Sequence, residues 1–137
     1  MNKLLDFFRT DKFATGIGIE LVSVGDGKAT AVLRTTAAHH NAAGVVQGGA
    51  IFTLADYAFA AASNSRGRLA TGIHVSISYM KAVKSGVLTA HAEEVRCGKT
   101  TGTYLVHVKN ESGDDVALFQ GTAYRLDQAV PPAGESS

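Results

Sequence analysis

The 137-residue chain has little with which to cross-link, chelate a metal or carry a net field. Its single cysteine, Cys97, cannot form an internal disulfide and has no metal-ligand spacing around it, so it reads as an ordinary reduced thiol and points to a cytoplasmic setting. The formal charge is only +1, from Lys and Arg scattered along the chain, and this argues against both nucleic acid and membrane as partners. No Gly-x-Ser-x-Gly elbow is present, so a serine-hydrolase reading has no anchor. Gly98-Lys99-Thr100 imitates the end of a phosphate-binding loop, but that motif needs glycine at the place of Glu93 and a helix after it. His39 and His40 are adjacent, so their rings diverge in extended backbone and do not chelate one metal; no metal or cofactor is expected. The first nine residues carry charges inside their apolar segment and lack the h-region of a signal peptide. The run 45–62 approaches spanning length, but Gln47, Asp56 and many small residues mark a buried helix rather than a membrane span.

What is present fits one domain over 1–126, large enough for a continuous core, and a tail over 127–137 too polar and Pro/Gly-rich to order itself. The pattern predicts a short amphipathic helix at the start. Strands over 18–24 and 28–35 follow, joined at Gly25-Asp26-Gly27, whose residues tolerate positive φ. A loop over 36–46 then leads into a long apolar helix at about 47–65. From Arg68 the period becomes two, with Ile73, Val75, Ile77 and Tyr79 alternating with His74, Ser76 and Ser78. Strands over 87–96, 101–109 and 116–126 complete the order, and their short links imply antiparallel pairing. The fold class is α+β: an antiparallel sheet of about six strands wrapped around one long central helix.

Between Arg34 and Arg66 the chain carries one formal charge, Asp56. A lone carboxylate in an apolar helix costs several kcal/mol of desolvation unless something uses or satisfies it. Asp56 is therefore either a buried acid satisfied by backbone and hydroxyl groups or a chemical group. At the start of the same helix, Gly48 and Gly49 offer unpaired N–H groups at the positive end of the macrodipole, which suits an oxyanion. The plainer alternative is that the two glycines only let backbones pack closely. Eight residues of helix separate Gly48 from Asp56 by about 12 Å, too far for one reacting carbon, so cooperation requires a second subunit. His74, His91 and His107 fall at polar strand positions, where solvated or cross-strand roles are ordinary. Phe52, Tyr57, Phe59 and Tyr79 suit either an aryl pocket or the core.

The run Asn41-Ala42-Ala43-Gly44-Val45-Val46-Gln47-Gly48-Gly49, with Ile51-Phe52-Thr53-Leu54-Ala55-Asp56 and Ser63-Asn64-Ser65, resembles the hotdog-fold acyl-CoA thioesterases. The PaaI-type branch is the nearest match, and the likeness runs from about Gly18 to Leu126. The resemblance implies a sheet wrapped round the helix and a homodimer with two interfacial sites, often paired into a tetramer. It also implies an acyl-CoA substrate, of which coenzyme A is a part rather than a cofactor. By similarity Asp56 is the catalytic base or nucleophile, the Gly48 N–H of the other subunit binds the thioester oxygen, and Asn41 places the water or the carboxylate. Gly49 and His40 fall beside these in the substrate site, and Lys81, Lys84, Arg96 and Lys99 are the positions to search for contacts to the nucleotide. One position departs: the family usually has histidine before the glycine pair, where this chain has Gln47. Glutamine donates a hydrogen bond but cannot become cationic. That substitution motivates a rival reading, a non-catalytic hotdog protein that binds acyl-CoA as sensor or carrier. A hotdog dehydratase ranks last, since no placed histidine–acid pair is evident.

Overall fold

The computed structural model describes residues 3–133. Two short helices, α1 (Lys3–Phe8) and α2 (Lys12–Gly16), precede the sheet. Only the first is anticipated above. The second is started by Asp11, whose side chain accepts the Ala14 N–H at 2.9 Å and so satisfies a donor that the helix leaves free.

The strands are β1 (Ile19–Gly25), β2 (Lys28–Arg34), β3 (Arg68–Tyr79), β4 (Val87–Cys97), β5 (Thr101–Lys109) and β6 (Asp115–Ala129). They form one antiparallel sheet in the order β1-β2-β4-β5-β6-β3. Gly25 pairs with Lys28, leaving Asp26 and Gly27 as a two-residue loop with φ of 54° and 77°. Two positive φ values in succession define the tight turn whose twist matches the flanking strands. β3 forms an edge of the sheet and carries a bulge between Gly72 and His74.

The long helix α3 (Gly48–Ser63) lies across β2, β4 and β5. Leu54, Ala55, Ala58, Phe59, Ala61 and Ala62 bury one broad face, and small side chains let the helix approach the sheet. Phe59 is the largest of these. A Cβ at Gly72 or Gly121 would stand 2.9 or 2.6 Å from its ring, so those two strand positions must be glycine for the ring to fit. Tyr104 and Phe119 pack against the same ring at centroid distances of 5.8 and 5.5 Å. Asn64 ends the helix: its Nδ2 donates to the carbonyls of Ala60 and Ala70, and its Oδ1 accepts the Ala70 N–H. That side chain clamps the helix terminus to the first residues of β3.

The architecture is the α+β arrangement that the pattern predicts, a six-stranded antiparallel sheet around one long helix. The expected tail is corrected at its near end. β6 continues to Ala129, opposite Arg68, and the Val130 N–H donates to Gly67 O at 3.0 Å. Backbone pairing, rather than apolar burial, orders these residues. The last part of the expected tail, 134–137, lies outside the described residues.

Candidate active site

Gln47 is the N-cap of α3, and its side-chain Oε1 accepts the Gly49 N–H at 2.7 Å. The Gln47 N–H is itself held by His39 O at 2.8 Å. Among the described residues nothing accepts a hydrogen bond from the Gly48 N–H. The helix thus presents one free donor at its positive end. The Tyr79 hydroxyl donates to Gly48 O at 3.0 Å and fastens the first turn to the end of β3. A Cβ on Gly48 would meet the Tyr79 ring at 3.2 Å, and one on Gly49 would meet Gln47 Oε1 at 2.7 Å. The glycine pair thus sits close against its own neighbours, as the packing alternative holds, and it still leaves a donor exposed.

Asp56 is half-buried and has no hydrogen-bond partner among the described residues. Burial, and then the negative charge of Asp11, push its carboxyl pKa up from the ordinary value of 3.8. Gly49, Thr53, Asp56 and Ala60 follow one another at steps of four and three, so they share one face of α3. That face points away from the sheet. The helix is therefore not apolar all round, and Asp56 occupies its open stripe.

Two clefts flank the helix start. One, of about 420 Å³, is lined by Val46, Gly48, Ile51, Tyr79, Met80 and Val83. The other, of about 250 Å³, lies on the Gly49 and Thr53 side between Phe13, Ile17, His39, Gln47 and Ala50. The loop between them is braced internally. Asn41 Oδ1 accepts the N–H groups of Ala43 and Val45, and the His40 ring engages Lys84 O at 2.8 Å.

The chain that carries this free amide and unpartnered carboxylate is similar to known proteins. The family model of the "Thioesterase superfamily" matches residues 43–117, which include both groups. The chain belongs to this superfamily. It is 35% identical over 124 residues to the acyl-coenzyme A thioesterase PaaI of Escherichia coli, covering 90% of this chain and 89% of that one. The solved PaaI structure from E. coli superposes with a TM-score of 0.87 at 34% identity, over 90% and 91% of the two chains. A mutant of the phenylacetic acid degradation protein PaaI of Thermus thermophilus gives 0.81 at 37% identity, over 85% of this chain and all of that one. A hypothetical thioesterase of Streptococcus pneumoniae, solved with coenzyme A, gives 0.83 at 28% identity, over 90% and 97%. The chain is thus a PaaI-type hotdog thioesterase, and the reaction class is thioester hydrolysis.

Within this thioesterase chain Gly48, Gly49, Gln47, His40 and Asn41 gather round the helix start, whereas Asp56 stands two turns away. The four basic candidates do not come together. Lys81 and Lys84 precede β4, with Lys81 paired to Asp114 at 3.1 Å, whereas Arg96 and Lys99 lie at its far end. Ten residue steps of strand separate the two sets by about 30 Å within one chain. Tyr57 and Phe59 prove to be core, and Tyr57 donates its hydroxyl to Phe8 O at 2.6 Å. Tyr79, 51% exposed, lines the larger cleft instead. His91 and His107 face each other across β4 and β5, remote from the helix start.

Two residues near these groups escape the sequence reading: Phe13, which lines the smaller cleft, and Asp11, whose charge acts on Asp56. The signal for both was the N-cap pattern of Asp11 ahead of Ala14, which announces a second short helix.

Proposed function

We propose that this thioesterase hydrolyses acyl-CoA thioesters to the acid and free coenzyme A. The acyl group would be an aryl or a short- to medium-chain group. The observation that carries the reading is Asp56: an unpartnered carboxylate with raised proton affinity on an open helix face, two turns along the helix whose start carries a free amide. The Gly48 N–H would polarise the thioester carbonyl, and Asp56 would attack it directly or deprotonate the attacking water. Water would supply the oxygen of the acid, and coenzyme A would leave as thiolate and take up a proton. The named activity of E. coli PaaI and the coenzyme A held by the S. pneumoniae relative both support this substrate class.

The 12 Å spacing makes the site intersubunit: Asp56 of one protomer would face Gly48 of a second copy. Two features support a dimer of antiparallel helices. The open stripe of α3 is built of small residues around Asp56. The edge strand β3 exposes Ile73 at 58% and leaves one side of its backbone unpaired by the sheet. Lys84 is the first cation we assign to the coenzyme A phosphates, since Lys81 is shared with Asp114.

Gln47 fits this chemistry as a neutral cap. By holding the Gly49 N–H it leaves the Gly48 N–H as the single outward donor. Replacing Asp56 by asparagine keeps the shape and removes the attack. Asp56→Asn should lose about 10²–10⁴ in thiol release while staying dimeric in light scattering. Full turnover by that variant on the best substrate would end the mechanism. Tight binding without thiol release by the wild type would favour the carrier reading.

A further inference from the structure

We infer that Phe13 is the specificity-determining wall of the acyl site: its ring closes the smaller cleft at the α3 start and contacts the acyl group of the substrate. The inference rests on the thioesterase reading given above.

Phe13 is 71% exposed, more than any other large apolar side chain among the described residues. It forms none of the ring pairs that organise the other phenylalanines. A large exposed ring with no partner is the informative kind of exposure. It is also held in place. The Asp11 cap fixes α2, and the neighbouring Ala14 is buried at 2%, so the helix is anchored while Phe13 lines the cleft.

The cleft opens on the correct face. Gly49 and Thr53 line it, and Asp56 follows on the same stripe, whereas the larger cleft lies on the Gly48 and Ile51 side.

The lining also selects the occupant. Gln47 Oε1 is taken by the Gly49 N–H, and the Thr53 hydroxyl donates to Gly49 O. The His39 ring is held by Ile17 O and the Thr36 N–H, and the His40 ring by Lys84 O. The cleft thus presents Phe13, Ile17, Ala38 and Ala50 to a ligand, beside the Gln47 side-chain NH2 and the second ring nitrogen of His40. Such a mainly apolar surface takes an apolar group. Its volume of about 250 Å³ suits a compact group. A dry cavity of about 150 Å³ already holds benzene, so a ring or a chain of several carbons fits within it.

The test is steady-state thiol release by the full chain on acetyl-, hexanoyl-, benzoyl- and dodecanoyl-CoA. Wild type is compared with Phe13→Ala and Phe13→Trp, and thermal unfolding checks that both variants fold. Phe13→Ala is expected to raise KM about tenfold for the compact groups and to improve dodecanoyl-CoA relative to them, and Phe13→Trp to do the reverse. Inhibition by free coenzyme A is expected to stay unchanged. An unaltered profile, a shift uniform across all four substrates, or weakened inhibition by free coenzyme A would overturn the proposal and leave the hydrolase reading standing. No thiol release by the wild type from any of the four would overturn both.

Discussion

Burial, and then the negative charge of Asp11, raise the proton affinity of Asp56 above that of an ordinary carboxyl at 3.8. A carboxyl whose pKa is higher folded than unfolded opposes folding while charged. The penalty is in force above the folded pKa, is relieved as pH falls through it, and vanishes below the unfolded value. Asp56→Asn should therefore raise the unfolding midpoint by a few degrees at pH 7 and leave it unchanged near pH 3, measured by calorimetry. The same shift appears in the chemistry. If Asp56 must be ionised to act, kcat/KM falls on the acid side with an apparent pKa above 3.8. Asp11→Asn retains a helix cap but removes the neighbouring charge, so the acid limb should move to lower pH in a pH–rate profile. Glu94 shows the opposite balance. Burial pushes its pKa up, but hydrogen bonds from Arg66 and from the buried Tyr104 hydroxyl outweigh this and hold it low. Glu94→Ala would strand that hydroxyl and should cost about 1–3 kcal/mol in denaturant unfolding.

At the scale of elements, Phe59 is the point where helix and sheet lock together. Adding one methyl at Gly121 would put it 2.6 Å from the ring, so Gly121→Ala should destabilise by about 1–3 kcal/mol in the same measurement. Elements of this kind were legible in the sequence where a local rule suffices. The α3 start follows from its glycine pair, the β1–β2 hairpin from Asp26 and Gly27, and β5 from strict alternation. The order of strands was not legible, because β3 is followed in the chain by β4 but pairs with β6, and nothing in a strand's own pattern states its neighbour. The bulge at Ile73 escaped for a related reason: an extra residue leaves the apolar alternation intact on paper and turns Ile73 outward in space. The candidate site was legible in its parts. Asp56 stood out by charge and Gly48 by its neighbour, but Phe13 looked like any apolar residue until the fold carried α2 to the start of α3.

For the whole molecule, the proposed intersubunit site makes a sharp prediction about mixtures. Asp56→Asn and a Gly48→Val variant should each be inactive as homodimers. A heterodimer of the two holds one site with both defects and one with neither. Unfolding and refolding an equal mixture should restore about a quarter of wild-type thiol release under random pairing. A site contained within one chain would restore nothing. Ile73→Lys, on the exposed edge strand, should weaken the dimer and lower activity together, followed by light scattering over a dilution series. Among the described residues no helix is long and apolar enough to cross a membrane.

The pairing of β6 beyond Leu126 bears on how the chain withstands trimming. Arg68 holds the carbonyls of Arg125 and Leu126, Ala129 pairs with Arg68, and Val130 hangs from Gly67, just past the end of α3. Exopeptidase digestion from the carboxyl end should accordingly stall near Val130 rather than at Leu126. A fusion partner joined at Leu126 would pull apart the seam that anchors the long helix, whereas one joined after Ala133 would leave it closed.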